Sequence, residues 1–495
     1  VDSSFLDEQV RLDAEHLASF GYRQDLKRSL SFLSSFAAAF SYLSVSTGIF
    51  ALYGLGLGFG GPAFFWSWPL VCFGQLLVAL NFSELSSHFP VAGSVYQWTR
   101  QLSSRGFAWT TGWIYLFASL LTLTSVAFTV SLPLIGLFGW TTTTNLTIEI
   151  TLGVLVVSTI INVAGVRLLT LINNVGVAAE ILGMAVFAVI LVIIAHHQPL
   201  SVLNSTGGTG VGRDYLGPFA TAMFMSLFVV YGFDTAGTLA EETRDPTRQV
   251  PRAILSALGV SFVIGAIFLV SVLISTPNIG KAMASASPLV DTINSGLPGW
   301  LAKIYLLVVT FAVFVCTLSI QASTTRLAFG MARDNQLPGL AWLGTVNRSF
   351  GTPAYAGVAA GVIAALPLFV SQQLPAIVTG ATGLIYLSYL LCNLSLFRAR
   401  LGGWPARKAP FSLGRWGMPT NLLAIIWGGS MLINFAWIRG ATNPGLGLGP
   451  SWLSNKPIFE VLLLAIFALG AVYYSLAVRN RTAPSAAPIR PAAAR

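Results

Sequence analysis

Two carboxyl groups stand where carboxyl groups are expensive. Glu180 and Asp234 lie within the apolar stretches 170–195 and 215–240, and no Lys or Arg lies equally deep in either. A charged side chain at the centre of a membrane segment costs about 2.5–3.5 kcal/mol on insertion scales, so an acid retained there marks an ion or substrate path or is bonded by its neighbours. Glu180 reads either as a coupling carboxyl that carries a proton or as an acid bonded to a nearby Ser or Thr. Asp234 reads either as part of a substrate site or as a cap on the half-helix that follows it, because Asp accepts amide hydrogen bonds at such positions.

The second kind of chemistry is backbone chemistry. The run SYLSVSTGIF at 41–50 sets Ser44, Ser46, Thr47 and Gly48 midway through an apolar stretch, and VVYGFDTAGT at 229–238 sets Gly232, Asp234, Thr235 and Gly237 at the corresponding place in another. Irregular backbone at membrane depth is tolerated only where protein or a wet cavity surrounds it. Paired interruptions in two halves of a chain point to a transporter's binding site. Small residues also serve close helix packing, and Gly54, Gly56, Gly58, Gly60 and Gly61 are read that way.

These residues need spans to hold them. A membrane helix takes roughly 20 mostly apolar residues, and runs of that kind fall at 30–58, 62–88, 105–138, 147–165, 170–195, 215–240, 253–276, 298–328, 353–371, 374–397, 418–438 and 457–478, here called helices 1 to 12. With the N-terminus placed in the cytoplasm, 22 of the 27 Lys and Arg residues fall on the cytoplasmic side and 5 outside. That asymmetry supports both the helix count and the orientation, with both termini cytoplasmic. On this reading Glu180 is about 15 Å along helix 5 from its cytoplasmic end.

Composition excludes the other broad classes. Only 9% of residues are charged and 55% are hydrophobic, against about 25% charged in a soluble domain. The mean hydropathy is +0.74. The net charge of +10 is spread between apolar blocks and forms no basic patch, so nucleic acid is not expected as a partner. Cys72, Cys316 and Cys392 lie in apolar runs, and the four histidines show no ligand spacing, so neither a disulfide framework nor a metal site is expected. The first residues are polar and acidic, unlike a signal peptide, and read as a soluble tail. The loop AEETRDPTRQVPR at 240–252 reads as structural or gate-related, and Glu84 as a partner for an Arg at the same end.

Three motifs carry a resemblance. ELSSHFPVAGSVYQW (84–98), YGFDTAGTLAEETRDPTRQVPRAI (231–254) and TTRLAFGMARDNQLP (324–338) resemble the amino acid/polyamine/organocation permease superfamily, and within it the amino acid/choline branch that includes GABA and choline permeases. The likeness extends over about residues 30 to 480. It implies the five-plus-five inverted repeat of the LeuT fold, with helices 1 and 6 unwound at the substrate and helices 11 and 12 peripheral. By resemblance, amides at Ser46, Thr47 and Gly48 would bind a substrate carboxylate and carbonyls at Phe228 and Tyr231 its amine, with Gly232, Phe233 and Asp234 completing the site. Half-helix ends have the polarity for this, positive at an N-terminus and negative at a C-terminus. Ser46-Thr47-Gly48 stands in place of the usual Gly-Ser-Gly, which leaves room for a longer or carboxylate-free amine. In proton-coupled relatives a helix 5 Lys near this position replaces sodium; Glu180 in place of that Lys is a departure, so the resemblance does not settle the coupling ion.

The expectation is thus an all-α membrane protein of twelve helices. Its parts are a cytoplasmic tail (1–29), a first repeat (30–196), a second repeat (215–397), peripheral helices (418–478) and a disordered cytoplasmic tail (479–495). It would be a non-enzymatic secondary transporter in a cell membrane, working by alternating access within the lipid bilayer on an amino acid or related amine such as GABA, choline or a polyamine. No cofactor is expected. Coupling to protons or exchange is preferred over sodium, because Ser323, Thr324 and Thr325, the candidate sodium oxygens, are of a type that more often bonds its own helix. Two other classes compete: an amine sensor built like a transporter, and a membrane lipid enzyme, which needs an acid, His or Ser cluster near one interface that the chain lacks.

Overall fold

The computed structural model describes residues 3–285, 287–347, 350–370, 374–437 and 455–479, and among them there are helices and no strand. Among the described residues, nine helices are long and apolar enough to cross a membrane. The three remaining runs also form helices, each with a reason to miss that criterion. Helix 6 is broken into Leu216–Ala222, Phe224–Val229 and Thr235–Thr238; helix 9 is short, Ala354–Ala365 and Pro367–Val370; helix 11, Gly417–Ala436, carries several polar residues. The arrangement is consistent with twelve spans. Helix 7 differs most from its expected limits: it starts at Pro246, because proline at the first helical position costs no hydrogen bond.

Burial sorts the bundle into centre and rim. In helix 1 the most apolar window is 89% buried, whereas in helix 12 it is 17% buried, so helix 1 is central and helix 12 faces the surroundings. Helix 5, Val166–Ile194, shows how one helix serves both: Leu169, Asn173, Val177, Glu180, Met184, Phe187 and Leu191 are buried at three- and four-residue spacing, while Leu171, Leu182 and Ile193 are exposed. Glu180 sits on the inward stripe.

The expected soluble tail is corrected by the structure. Residues Ser3–Ser19 form a helix, and Leu17, Tyr22, Leu26 and Leu30 are buried against the arginine-rich end of the bundle. Arg28 donates to the Thr243 carbonyl at 2.6 Å, the amides of Ser29 and Leu30 donate to the Glu242 carbonyl, and Asp13 accepts from the Asp245 amide at 2.9 Å. A segment that satisfies its backbone on the stretch that follows helix 6 is part of the fold. Residues 480–495, which hold all but the first residue of the expected disordered tail, lie outside the described residues.

Candidate functional site: two broken helices and two buried acids

Helix 1 breaks at one residue. Phe32–Leu43 ends and Val45–Gly60 begins at Ser44, which takes φ 30°, ψ 90°. Its amide still closes onto the Phe40 carbonyl at 2.8 Å, but the left-handed turn leaves the first amides of the next half-helix unpaired. Glu180 fills that gap from helix 5. Its Oε1 accepts from the Ser46 amide (3.0 Å), the Ser46 hydroxyl (2.7 Å) and the Ser44 hydroxyl (2.9 Å). The half-helix N-terminus carries partial positive charge, so a carboxylate is the fitting partner.

Ser46 therefore presents its amide as expected, but to the protein's own acid. Thr47 turns its hydroxyl to Ser44 Oγ at 2.6 Å. Gly48 differs from expectation more: its amide is bonded to the Ser44 carbonyl at 3.3 Å, and a Cβ there would run into the Val229 side chain. It is a contact between helices 1 and 6 and not an open amide.

Helix 6 breaks over a longer stretch, Val230 to Asp234. Gly232, at φ +88°, turns the chain, and a Cβ would strike the Tyr42 ring. Its amide, freed from the helix, donates to the Tyr389 hydroxyl at 2.9 Å. That same hydroxyl donates to Asp234 Oδ1, while Ser94 (2.6 Å) and Tyr115 (2.5 Å) donate to Oδ2. Asp234 accepts no capping amide, so the cap reading gives way to an acid clasped by three hydroxyls from helices 3 and 10 and the helix before helix 3. Phe228 lies in the last turn before the break; its ring lies 6.1 Å from that of Tyr231, which in turn lies 6.2 Å from Tyr42. Phe233 packs on Tyr389 at 5.7 Å. Tyr42, Phe228 and Tyr231 thus form an aromatic group between the two breaks.

Sequence reasoning missed Tyr389, Tyr115 and Ser94, whose roles depend on which helices meet. Of the candidate sodium oxygens, Thr324 and Thr325 return to Ile320 and Gln321 on their own helix, while Ser323 Oγ accepts from the Thr235 hydroxyl of helix 6 at 3.5 Å.

At the arginine-rich end the acids are held differently. Arg326 of helix 8 pairs with Glu242 at 2.8 Å, Arg333 with Glu241 at 2.7 Å, Arg100 with Asp334 at 3.0 Å and Arg400 with Glu84 at 2.5 Å, and every acid in these pairs is about 1% exposed or less. Glu84 thus has the Arg partner expected of it. Tyr22 inserts among these pairs, donating to Asp334 at 2.9 Å beneath the Arg333 guanidinium. The opposite end holds a cavity of about 470 Å³ along the second half of helix 1, with Phe50, Tyr53, Trp140, Ser285 and Ser287 in its wall.

A bundle with two central helices broken at matching depth, sealed by ion pairs at one end and hollow at the other, is the build of a multi-pass membrane carrier. The sequence pattern of the family described as "Amino acid permease" matches residues 30–454, and the chain belongs to that family. It is a secondary transporter for amino acids. Among curated relatives, the amino-acid permease BAT1 homolog of Oryza sativa subsp. japonica is 28% identical over 85% of this chain and 86% of its own length. The GABA-specific permease of Saccharomyces cerevisiae is 27% identical over 71% of this chain and 65% of its own. Among solved structures, MhsT in complex with L-phenylalanine superposes with a TM-score of 0.60 at 14% identity, covering 83% of this chain and 98% of MhsT. The fold is that of LeuT-type transporters.

Proposed function

We propose that this permease carries a small amine-bearing solute, an amino acid or a relative such as GABA, choline or a polyamine, across a cell membrane by alternating access, with proton coupling through Glu180. Both termini are assigned to the cytoplasm. The observation that carries the reading is the reach of Glu180 from helix 5 into the helix 1 break, since an acid bonded to a hinge can report its own state to that hinge. The GABA-specific relative and the phenylalanine-bound neighbour support an amine-bearing amino acid as the solute class. The ion-paired end supports a state closed toward the cytoplasm and hollow toward the outside. Uptake by the purified chain in proteoliposomes, screened over those solutes with and without a proton gradient, tests the function. Full pH-dependent accumulation by Glu180→Gln would remove Glu180 from the coupling role. Orientation has its own test: cysteines at the exposed positions Arg248 and Arg407 should react only with cytoplasmic reagent, and labelling of either from outside would overturn it.

A further inference from the structure

Of the three amides that the resemblance assigns to a substrate carboxylate, that of Ser46 is taken by Glu180 and that of Gly48 by the Ser44 carbonyl. Three donors converge on one oxygen of Glu180, Oε1, and none of the bonds made by the described residues reaches the other oxygen, Oε2. Glu180 is 2% exposed. A carboxylate oxygen without a donor is free to accept one from a proton or a cation. Its surroundings agree. Helix 8 presents Tyr305 and Cys316 toward it, neither of them a base, and helix 1 presents hydroxyls. Helix 7, packed against helix 5, has its only basic residues, Arg248 and Arg252, in its first turns at the ion-paired end. Asp234, in the second break, is acidic too. The cavity at the opposite end reaches Phe50, four residues or about 6 Å along the helix from Ser46. Its described wall carries no charged side chain, and Phe50, Tyr53 and Trp140 give it π-faces that attract cations.

We propose that Glu180 Oε2 holds either a proton or the ammonium group of the substrate, never both, so that the permease exchanges a protonated amine for a proton. The balance is R–NH3+ plus the carboxylic acid giving the carboxylate–ammonium pair plus H+, with no bond to carbon made or broken. The substrate class follows from the two occupied amides: an alkylammonium that has no carboxylate, or has it several bonds away, is favoured over an α-amino acid, whose carboxylate must displace Glu180 to reach the Ser46 amide. This rests on the substrate site lying at the two breaks.

The sign of the driving gradient decides. The full chain in liposomes is given labelled cadaverine, GABA or leucine, with protein-free liposomes subtracting passive trapping of weak base. The expected result is cadaverine uptake driven by an acidic lumen and suppressed when acid is outside. At equal pH on both sides, its half-saturating concentration rises by up to about tenfold per unit of acidification through the Glu180 titration, and Glu180→Gln loses that dependence. Leucine competes at least tenfold more weakly than cadaverine. Uptake driven by external acid, a preference for leucine, or pH dependence intact in Glu180→Gln would each overturn the exchange proposal while leaving a transporter. Absence of protein-dependent uptake of all three solutes under either gradient would overturn the transport reading beneath it as well. The gradient sign is read on the unmutated chain, so the test stands even where Glu180→Gln does not fold.

Discussion

The acids in the middle of the bundle and the acids at its arginine-rich end are buried to the same degree but held by different groups. Glu241, Glu242, Asp334 and Glu84 are gripped by guanidinium groups, whereas Glu180 and Asp234 are gripped by hydroxyls and one amide. An Arg–carboxylate pair in a dry site is lost only by exposing both charges, and removing one partner costs about 3–5 kcal/mol. A hydroxyl can turn and give its bond to another acceptor, at a net cost of about 0.5–1.5 kcal/mol. The ion-paired end is therefore a lock that opens as a unit, and the middle is a place where partners are exchanged.

The strongest way to break that contrast is to stiffen the middle. Gly232→Ala adds a methyl group at φ +88° against the Tyr42 ring, which combines backbone strain with a clash. Transport should fall below detection in proteoliposomes while the protein still reaches the membrane. Gly48→Ala should also impair transport, through Val229, and Gly48→Ala with Val229→Gly should recover it. Equal impairment of the double variant would show that Gly48 acts on the substrate and not on helix packing.

Next in size is the lock. Arg326→Met leaves Glu242 buried without its partner, so the closed arrangement should weaken by about 3–5 kcal/mol. A cysteine placed at Ser323, two turns or less from the pair and 2% exposed, should then react far faster with reagent from the arginine-rich side. Unchanged labelling would mean that the other pairs hold that end by themselves.

The sequence made the lattice of spans legible because twelve apolar runs and a lopsided distribution of Arg and Lys are properties of composition along the chain. Glu180 and Asp234 stood out for the same reason, as charges out of place. Their partners did not. Ser94, Tyr115 and Tyr389 lie 140, 119 and 155 residues from Asp234, and a Tyr in an apolar helix carries no mark of the acid it meets. Helix 1 was placed correctly, and its break, expected over Ser44 to Gly48, narrows to Ser44 alone, because a serine whose side chain joins the local hydroxyl network adopts a left-handed turn that glycine would have advertised. The N-terminal segment was misread because its buried residues, Leu17, Tyr22, Leu26 and Leu30, are spaced by four or five, and its Arg28 and Asp13 find bonds to the distant Thr243 and Asp245 as well as to each other.

The smallest effects separate the three hydroxyls on Asp234. Tyr389 both donates to the carboxyl and accepts from the Gly232 amide, so Tyr389→Phe leaves a buried amide without an acceptor as well as removing a donor. The unsatisfied amide costs about 1–3 kcal/mol, and transport at subsaturating solute should fall about tenfold or more. Tyr115→Phe removes only a donor, and Asp234 Oδ2 keeps Ser94 at 2.6 Å; the cost is about 0.5–1.5 kcal/mol, a few-fold in the same assay. The ranking, not either value alone, carries the argument. If Asp234 were an acid whose only duty is its own solvation, losing either tyrosine would cost alike. If Tyr389 also holds the helix 6 turn through the Gly232 amide, Tyr389→Phe must exceed Tyr115→Phe, and the excess should persist in Asp234→Asn paired with each change. An excess that vanished in that cycle would trace it to the bond with the Asp234 carboxyl and remove the turn from the exchange of partners at the centre of the bundle.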